Sequence, residues 1–173
     1  FMVNVAGLNP ALAGLIFIIA KLWDAITDYF MGILSDKTQT RWGKRRVYML
    51  FGAIPYGLAF VLLWFAPFNA GTQQWVKFLY YTLAYMTFNT LWTIVYVPYN
   101  ALTANMTKDY DERTSLNGIR IICANIGMLL GAALFAFFAE GESSLFATLF
   151  GSIKNGYLMA GLLFGMIAAM IML

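Results

Sequence analysis

Five long stretches of this chain carry no Asp, Glu, Lys or Arg: 1–20, 47–76, 78–107, 121–139 and 155–173. A helix needs roughly 20 apolar residues to cross the hydrocarbon core of a bilayer, so each stretch is long enough for one span. The pattern predicts five membrane helices, at about 9–35, 46–66, 74–106, 116–139 and 156–173, with residues 1–7 as the end of a further helix.

The composition agrees with an all-α, polytopic membrane helix bundle. Hydrophobic residues make up 61% of the chain and charged residues 11%, which lies outside the range of soluble globular domains. The uncharged stretches are too long for barrel strands, which span in about ten alternating residues. One Cys and no His leave neither a disulfide nor the commonest general base, so we do not expect an enzyme or a bound cofactor.

The distribution of Lys and Arg predicts the orientation. Seven basic residues flank two loops on one side: Lys37, Arg41, Lys44, Arg45, Arg46, Lys108 and Arg113. The opposite side has only Lys77 and Lys154. The positive-inside rule then places loops 36–46 and 107–115 in the cytoplasm of a multi-pass plasma membrane protein, the inner membrane in a bacterium. Because the basic residues follow this pattern, we expect no nucleic-acid partner.

The chain begins at Phe1 and ends inside an apolar helix at Leu173. Five helices and the end of another are most of a six-helix half. We therefore expect a partial N-terminal transmembrane bundle over residues 1–173, with the C-terminal bundle of the same protein outside this sequence.

The first predicted helix carries three charges, Lys21, Asp24 and Asp28, in otherwise apolar sequence. Each costs roughly 2.5–3.5 kcal/mol near the centre of a membrane helix, and their spacing puts them on one face. Two carboxylates at i and i+4 can converge on a small hard cation or share a proton. In the structural alternative, Lys21 neutralises Asp24 and Asp28 pairs with a base on another helix.

Two further features point to the bundle interior. Arg120 precedes nineteen uncharged residues, and it either snorkels to the headgroups or donates hydrogen bonds to substrate hydroxyls. The third helix has a polar and aromatic stripe at spacings of three and four residues: Asn89, Trp92, Thr93, Tyr96 and Asn100. Such a stripe can serve helix packing alone, or aromatic rings and amides can stack against a sugar and bind its hydroxyls.

Two ordered motifs carry a family resemblance. The first is Lys21-Leu-Trp-Asp-Ala-Ile-Thr-Asp-Tyr-Phe-Met-Gly32, followed by Thr40-Arg-Trp-Gly-Lys-Arg-Arg46; the second is Val97-Pro-Tyr-Asn-Ala-Leu102 with Asp109-Tyr-Asp-Glu-Arg-Thr-Ser-Leu116. Over essentially its whole length the chain resembles the glycoside–pentoside–hexuronide:cation symporters of the major facilitator superfamily.

The resemblance implies roles for individual residues. Asp24 and Asp28 match the family's acids that bind Na⁺, Li⁺ or H⁺, and Thr27 and Thr93 match positions that assist them. The sugar site would include Arg120, Trp92, Tyr96 and Asn100, and we add Lys21 to these substrate-binding candidates. Three positions depart from the family's best-known type: Thr27 replaces Asn, Tyr96 replaces Asp and Asn100 replaces Trp.

The segment between the first two helices resembles the cytoplasmic loop motif of the superfamily. Its candidates for a gate or latch are Gly32, Asp36, Arg41, Lys44, Arg45 and Arg46. Asp36 can cap a neighbouring helix or pair with an Arg across the bundle, which would hold an outward-open state. The alternative is simple positive-inside anchoring.

These patterns together predict a secondary active transporter that couples Na⁺ or H⁺ to a sugar or glycoside by alternating access. Its partners would be the sugar, the monovalent cation and the lipid bilayer. Two alternatives remain open: a cation-coupled lysolipid carrier of the same fold, and a membrane sensor that binds its ligand without moving it.

Overall fold

A computed structural model describes residues 1–38, 41, 46–68, 71–106, 109–139 and 145–172. The described chain forms six α-helices: α1 (Pro10–Lys37), α2 (Arg46–Trp64), α3 (Gln74–Met106), α4 (Tyr110–Ala139), α5 (Leu145–Phe150) and α6 (Ile153–Met172). The prediction of an all-helical fold is confirmed, and no strand occurs within these ranges.

The start of α1 follows the sequence signals. The Asn9 side chain accepts a hydrogen bond from the backbone N–H of Ala11 at 2.9 Å, and Pro10 occupies the first helical position. Pro is favoured there because the first N–H groups of a helix have no partner within the helix. The predicted start of the first helix at about residue 9 is therefore confirmed.

Two predicted loops are wrong in part. The fourth helix begins at Tyr110 rather than near 116, because the Asp109 carboxylate accepts from the backbone N–H of Asp111 at 2.9 Å and caps the helix. Asp111 and Glu112 in the first turn also suit the positive end of the helix dipole. The segment expected to be a loop between 141 and 154 contains α5 and the first residues of α6.

Four helices are long and apolar enough to cross a membrane: α1, α2 from Val47, α4, and α6 to Ile171. The 33-residue α3 is not among them, although its length suffices, and its role as a fifth span stays a prediction. The amides and hydroxyls of its polar stripe reduce its hydropathy.

The helices pack in two sets that share α3. One side of α3 contacts α1, and another contacts α2, which in turn packs against α6. Contacts between α1 and α3 advance together along both helices, from Phe17 with Tyr85 to Asp28 with Thr93. The two helices therefore run parallel, and residues near the middle of α1 meet the middle of α3.

The crossing of α2 and α6 is very close. A Cβ placed on Gly57 would lie 2.7 Å from the carbonyl oxygen of Gly165, and one on Gly165 would lie 2.8 Å from that of Gly57. Glycine at both positions lets the two backbones touch, as small residues do in membrane helix pairs.

Candidate functional site

The two acids of α1 meet the same hydroxyl of α3. Thr93 Oγ1 lies 3.0 Å from Asp28 Oδ1 and 3.3 Å from Asp24 Oδ1, and Thr93 is only 1% exposed. The i, i+4 spacing places both carboxylates on one face of α1, and the parallel packing brings Thr93 to that face. Asp24, Asp28 and Thr93 are thus brought together as the sequence predicted, and we call them the acid–threonine site.

The acid–threonine site has fewer hydrogens than its oxygen atoms need, so it favours the binding of a positive charge. A hydroxyl has one hydrogen to donate, yet Thr93 Oγ1 is within hydrogen-bonding distance of two carboxylates. In one of the two contacts between Thr93 Oγ1 and a carboxylate oxygen, no hydrogen therefore lies between the two oxygen atoms. A proton or a cation among these oxygens would remove that deficit and offset the charge of the acids.

Lys21 completes part of the charge balance. Its Nζ lies 3.1 Å from Asp24 Oδ2, so the predicted pair between these residues is present. The other half of the structural alternative is absent, because no ion pair of Asp28 occurs among the described residues. The described contact of Asp28 is the neutral hydroxyl of Thr93.

The hydroxyl of Thr27, which the resemblance implies assists the acids, bonds within its own helix, and its role at the cation stays a prediction. Its hydroxyl donates to the backbone carbonyl of Asp24 at 3.0 Å, one turn earlier in α1. This bond uses the only hydrogen of the hydroxyl and leaves its lone pairs as the groups available to a cation. Across the described ranges, no group of three or more Asp, Glu or Cys side chains is close enough to hold a metal ion.

A cavity of about 730 Å³ lies between α3 and α4, and its lining includes Trp92, the residue before Thr93. The rings of Trp92 and Tyr96 stack at its edge, with centroids 5.0 Å apart and planes 18° apart. Asn100 and Arg120 also line it, so the structure brings four of the predicted substrate-binding residues together. The fifth, Lys21, does not line this cavity and is largely exposed beside Asp24.

Two polar residues line the cavity, Asn100 and Arg120, and their surroundings differ. The Oδ1 atom of Asn100 is buried without a hydrogen-bond donor within the described structure. The guanidinium carbon of Arg120 lies 5.8 Å from the centroid of the Tyr99 ring, which is within the range of a cation–π contact. A ligand hydroxyl in the cavity can accept a hydrogen bond from the guanidinium of Arg120.

The predicted latch is only partly described. Gly32 and Asp36 lie in the last two turns of α1, Asp36 is exposed, and Arg41 is exposed in the loop that follows. Lys44 and Arg45 lie outside the described residues. Arg46 begins α2, but its side chain also lies outside them. The latch therefore stays a prediction.

Sequence reasoning missed a contact between the ends of α1 and α2. The hydroxyls of Thr38 and Tyr48 form a short hydrogen bond, and that of Thr38 also lies 2.7 Å from the Leu34 carbonyl. Neither residue is charged or part of a spacing pattern, so no sequence signal marked them.

Lys77, which the charge distribution assigns to the side opposite the basic loops, has a buried side chain. It is only 3% exposed, and its Nζ donates to the Ala6 carbonyl at 2.9 Å. Gln74, one turn earlier, donates to the Gly7 carbonyl and accepts from the Asn9 N–H. These two side chains fasten the segment before α1 to the start of α3.

Comparisons with known proteins agree with the fold. The family described as MFS/sugar transport protein matches residues 1–173. An uncharacterized symporter of Synechocystis sp. is 42% identical over 144 residues, which is 82% of this chain and 26% of the relative. The isoprimeverose transporter of Lactiplantibacillus pentosus is 31% identical over 99% of this chain and 34% of its own length.

A third relative has a different named substrate. The sodium-dependent lysophosphatidylcholine symporter 1 of Mus musculus is 34% identical over 78% of this chain and 26% of its own length. The chain spans about a quarter to a third of the length of these relatives. The predicted resemblance to symporters is confirmed. This chain belongs to the MFS/sugar transport protein family, and it is a multi-pass membrane protein.

Proposed function

We propose that this chain forms most of the N-terminal six-helix half of a secondary active transporter that moves a sugar or glycoside together with Na⁺ or H⁺. The observation that carries the proposal is the single hydroxyl of Thr93 between the carboxylates of Asp24 and Asp28. Two acids in a membrane helix are costly unless a positive charge joins them, and Lys21 compensates only one. A mobile coupling ion supplies the second positive charge.

The position of the acid–threonine site supports coupling to a substrate. Thr93 is the next residue after Trp92 and lies one turn before Tyr96, so one short part of α3 contributes to both the acid–threonine site and the cavity. A cation that fixes Thr93 therefore also restricts the stacked rings. If the cation favours substrate binding, the substrate favours cation binding by the same factor.

The remaining steps follow from alternating access. Cation binding offsets the charge of the acid pair and lowers the cost of closing the bundle over it. The two halves of the transporter then rock around a site near the middle of the membrane. We place loops 36–46 and 107–115 on the cytoplasmic side, where Asp36 and the basic residues of the first loop form a latch that opens with the inward-facing state.

A sugar is the preferred substrate because of the cavity lining. The outer face of the Trp92–Tyr96 stack suits the C–H face of a sugar ring, while Arg120 offers a donor for its hydroxyls. The relative named as an isoprimeverose transporter supports this choice.

A lysophospholipid is the second candidate. The α4 side of the same cavity is apolar, with Leu116, Ile119 and Ile121, and such a wall suits an acyl chain. The relative named as a lysophosphatidylcholine symporter supports this alternative.

Uptake into vesicles that contain the full-length protein tests the proposal. With an inward gradient of Na⁺ or H⁺, we expect accumulation of at least one radiolabelled glycoside, pentoside or hexuronide, and its loss in Asp28→Asn. Accumulation of lysophosphatidylcholine alone would identify the second candidate. Substrate binding without accumulation under any gradient would indicate a sensor and contradict the proposal.

A further inference from the structure

Among the described residues, three side-chain contacts within hydrogen-bonding distance join α1 to α3. Two of them are those of Thr93 with the acids, and the third runs from Trp23 Nε1 to Thr90 Oγ1 at 2.9 Å. Trp23 directly precedes Asp24, and Thr90 precedes Thr93 by three residues. At a rise of about 1.5 Å per residue, the third bond lies about 4.5 Å along α3 from the acid–threonine site.

The Trp23–Thr90 bond differs from its neighbours in what a cation does to it. A cation among the carboxylates attracts the lone pairs of the Thr93 hydroxyl, so this hydroxyl must turn its hydrogen away from an acid. Thr90 has no such conflict, because its Oγ1 donates to the Met86 carbonyl at 2.8 Å and accepts from the indole of Trp23. Both roles of the Thr90 hydroxyl are filled by neutral groups, and its orientation is fixed.

We infer that Trp23 and Thr90 are positioning residues for the coupling cation. Their bond sets the separation and register of α1 and α3, so that Thr93 reaches both carboxylates in the empty and the occupied site. This role rests on the proposed function, since it requires that the acid–threonine site binds a cation. Neither residue lines the cavity between α3 and α4.

Two substitutions remove the bond with little change of shape. Trp23→Phe retains an aromatic ring without the N–H, and Thr90→Val retains the branched side chain without the acceptor. Thr87→Val is the matched control, because the Thr87 hydroxyl donates only to the Leu83 carbonyl of its own helix at 2.8 Å. Thr90→Ser is the conservative variant, since it keeps the hydroxyl.

The experiment measures two quantities on the full-length protein. The first is the concentration of Na⁺, or of H⁺ in Na⁺-free buffer, that gives half of the maximal thermal stabilisation of the purified protein. The second is the KM for substrate in vesicles at saturating cation. Direct binding is measured separately from transport, so a failure of coupling can be distinguished from a failure of cation binding.

We expect Trp23→Phe and Thr90→Val each to raise the half-saturating cation concentration about three- to tenfold, the range for one neutral hydrogen bond. The double variant should be no worse than either single variant, because both remove the same bond. Thr87→Val and Thr90→Ser should keep a half-saturating cation concentration near that of the wild type. The KM for substrate should also stay near its wild-type value. If the two residues had a purely structural role, the variants would be less stable, but their half-saturating cation concentration would not change.

Several results would overturn the inference. One is a half-saturating cation concentration that is the same in Thr90→Val and in the control Thr87→Val. Another is a rise in this concentration that is as large in Thr90→Ser as in Thr90→Val. A rise in substrate KM without a change in cation dependence would move the role to the cavity. A wild-type protein that no cation stabilises, and in which no cation drives uptake, would contradict both this inference and the proposed function.

Discussion

Replacing Thr93 by Val removes a hydroxyl that lies within hydrogen-bonding distance of both acids. The hydroxyl lies 3.0 Å from Asp28 Oδ1 and 3.3 Å from Asp24 Oδ1, and Thr93 is 1% exposed. The substitution keeps the branched shape of the side chain and deletes its oxygen. In the occupied site, the cation loses a neutral ligand that α3 holds in place.

The size of the effect follows from the kind of interaction. A hydrogen bond or dipole contact with a charged group contributes about 1.5–3 kcal/mol, more than one between neutral groups. Because 1.4 kcal/mol corresponds to a factor of ten, the half-saturating cation concentration should rise about ten- to hundredfold. Thr93→Ser keeps the oxygen, and we expect it to remain within a few fold of wild type.

The assay is cation-dependent substrate uptake in vesicles, with the cation concentration varied at saturating substrate. Thr82→Val is the control, because Thr82 is also buried in α3 and its hydroxyl donates to the Phe78 carbonyl at 2.7 Å. If Thr93→Val shows the same cation dependence as Thr82→Val, the Thr93 hydroxyl is not a ligand. Such a result would refute a role of the Thr93 hydroxyl in cation binding.

Two further predictions concern stability, measured as the melting temperature of the purified protein. Gly165→Ala should lower the free energy of unfolding by about 1–3 kcal/mol, because the added Cβ would lie 2.8 Å from the Gly57 carbonyl oxygen. Gly131→Ala, which meets nothing within 4 Å, should leave it unchanged or raise it, and equal losses in both would contradict the close crossing. Lys77→Ala should cost about 1–3 kcal/mol, because it leaves a backbone carbonyl of the preceding segment without its buried donor. Lys154→Ala, whose bond to a carbonyl is exposed, should cost less than about 0.5 kcal/mol, and an equal cost would refute the importance of burial.

The helices were largely predictable because charge and hydropathy decide them locally. Uncharged stretches of membrane length located α1, α2, α4 and α6, and Asn9-Pro10 located the start of α1. The start of α4 was missed because its first turn is polar, and hydropathy gives no signal there. Its cap at Asp109 is a local side-chain bond that outweighs the polarity of the following residues.

The acid pair was predictable for a different reason. Charges inside a membrane helix are costly, so Asp24 and Asp28 stand out in the sequence as candidates for a functional site. The partner Thr93 came from spacing and resemblance, and the structure shows it in contact with both acids.

The bond between Trp23 and Thr90 could not be predicted in the same way. Trp and Thr are ordinary residues in a membrane helix, and their pairing depends on the relative register of α1 and α3. A single sequence specifies the faces of each helix but not which turn of one meets which turn of another. The buried position of Lys77 has the same origin, since it depends on how the segment before α1 packs over α3.

The most direct test of the account is cation entry driven by substrate alone. Vesicles that contain the full-length protein are prepared without any ion gradient or membrane potential, substrate is added outside, and internal Na⁺ and pH are followed. We expect that either Na⁺ or H⁺ enters with the substrate in the wild type. In Asp28→Asn we expect that neither ion enters. Substrate entry without ion movement in the wild type, or unchanged ion entry in the variant, would contradict the central claim that this acid pair binds the coupling ion.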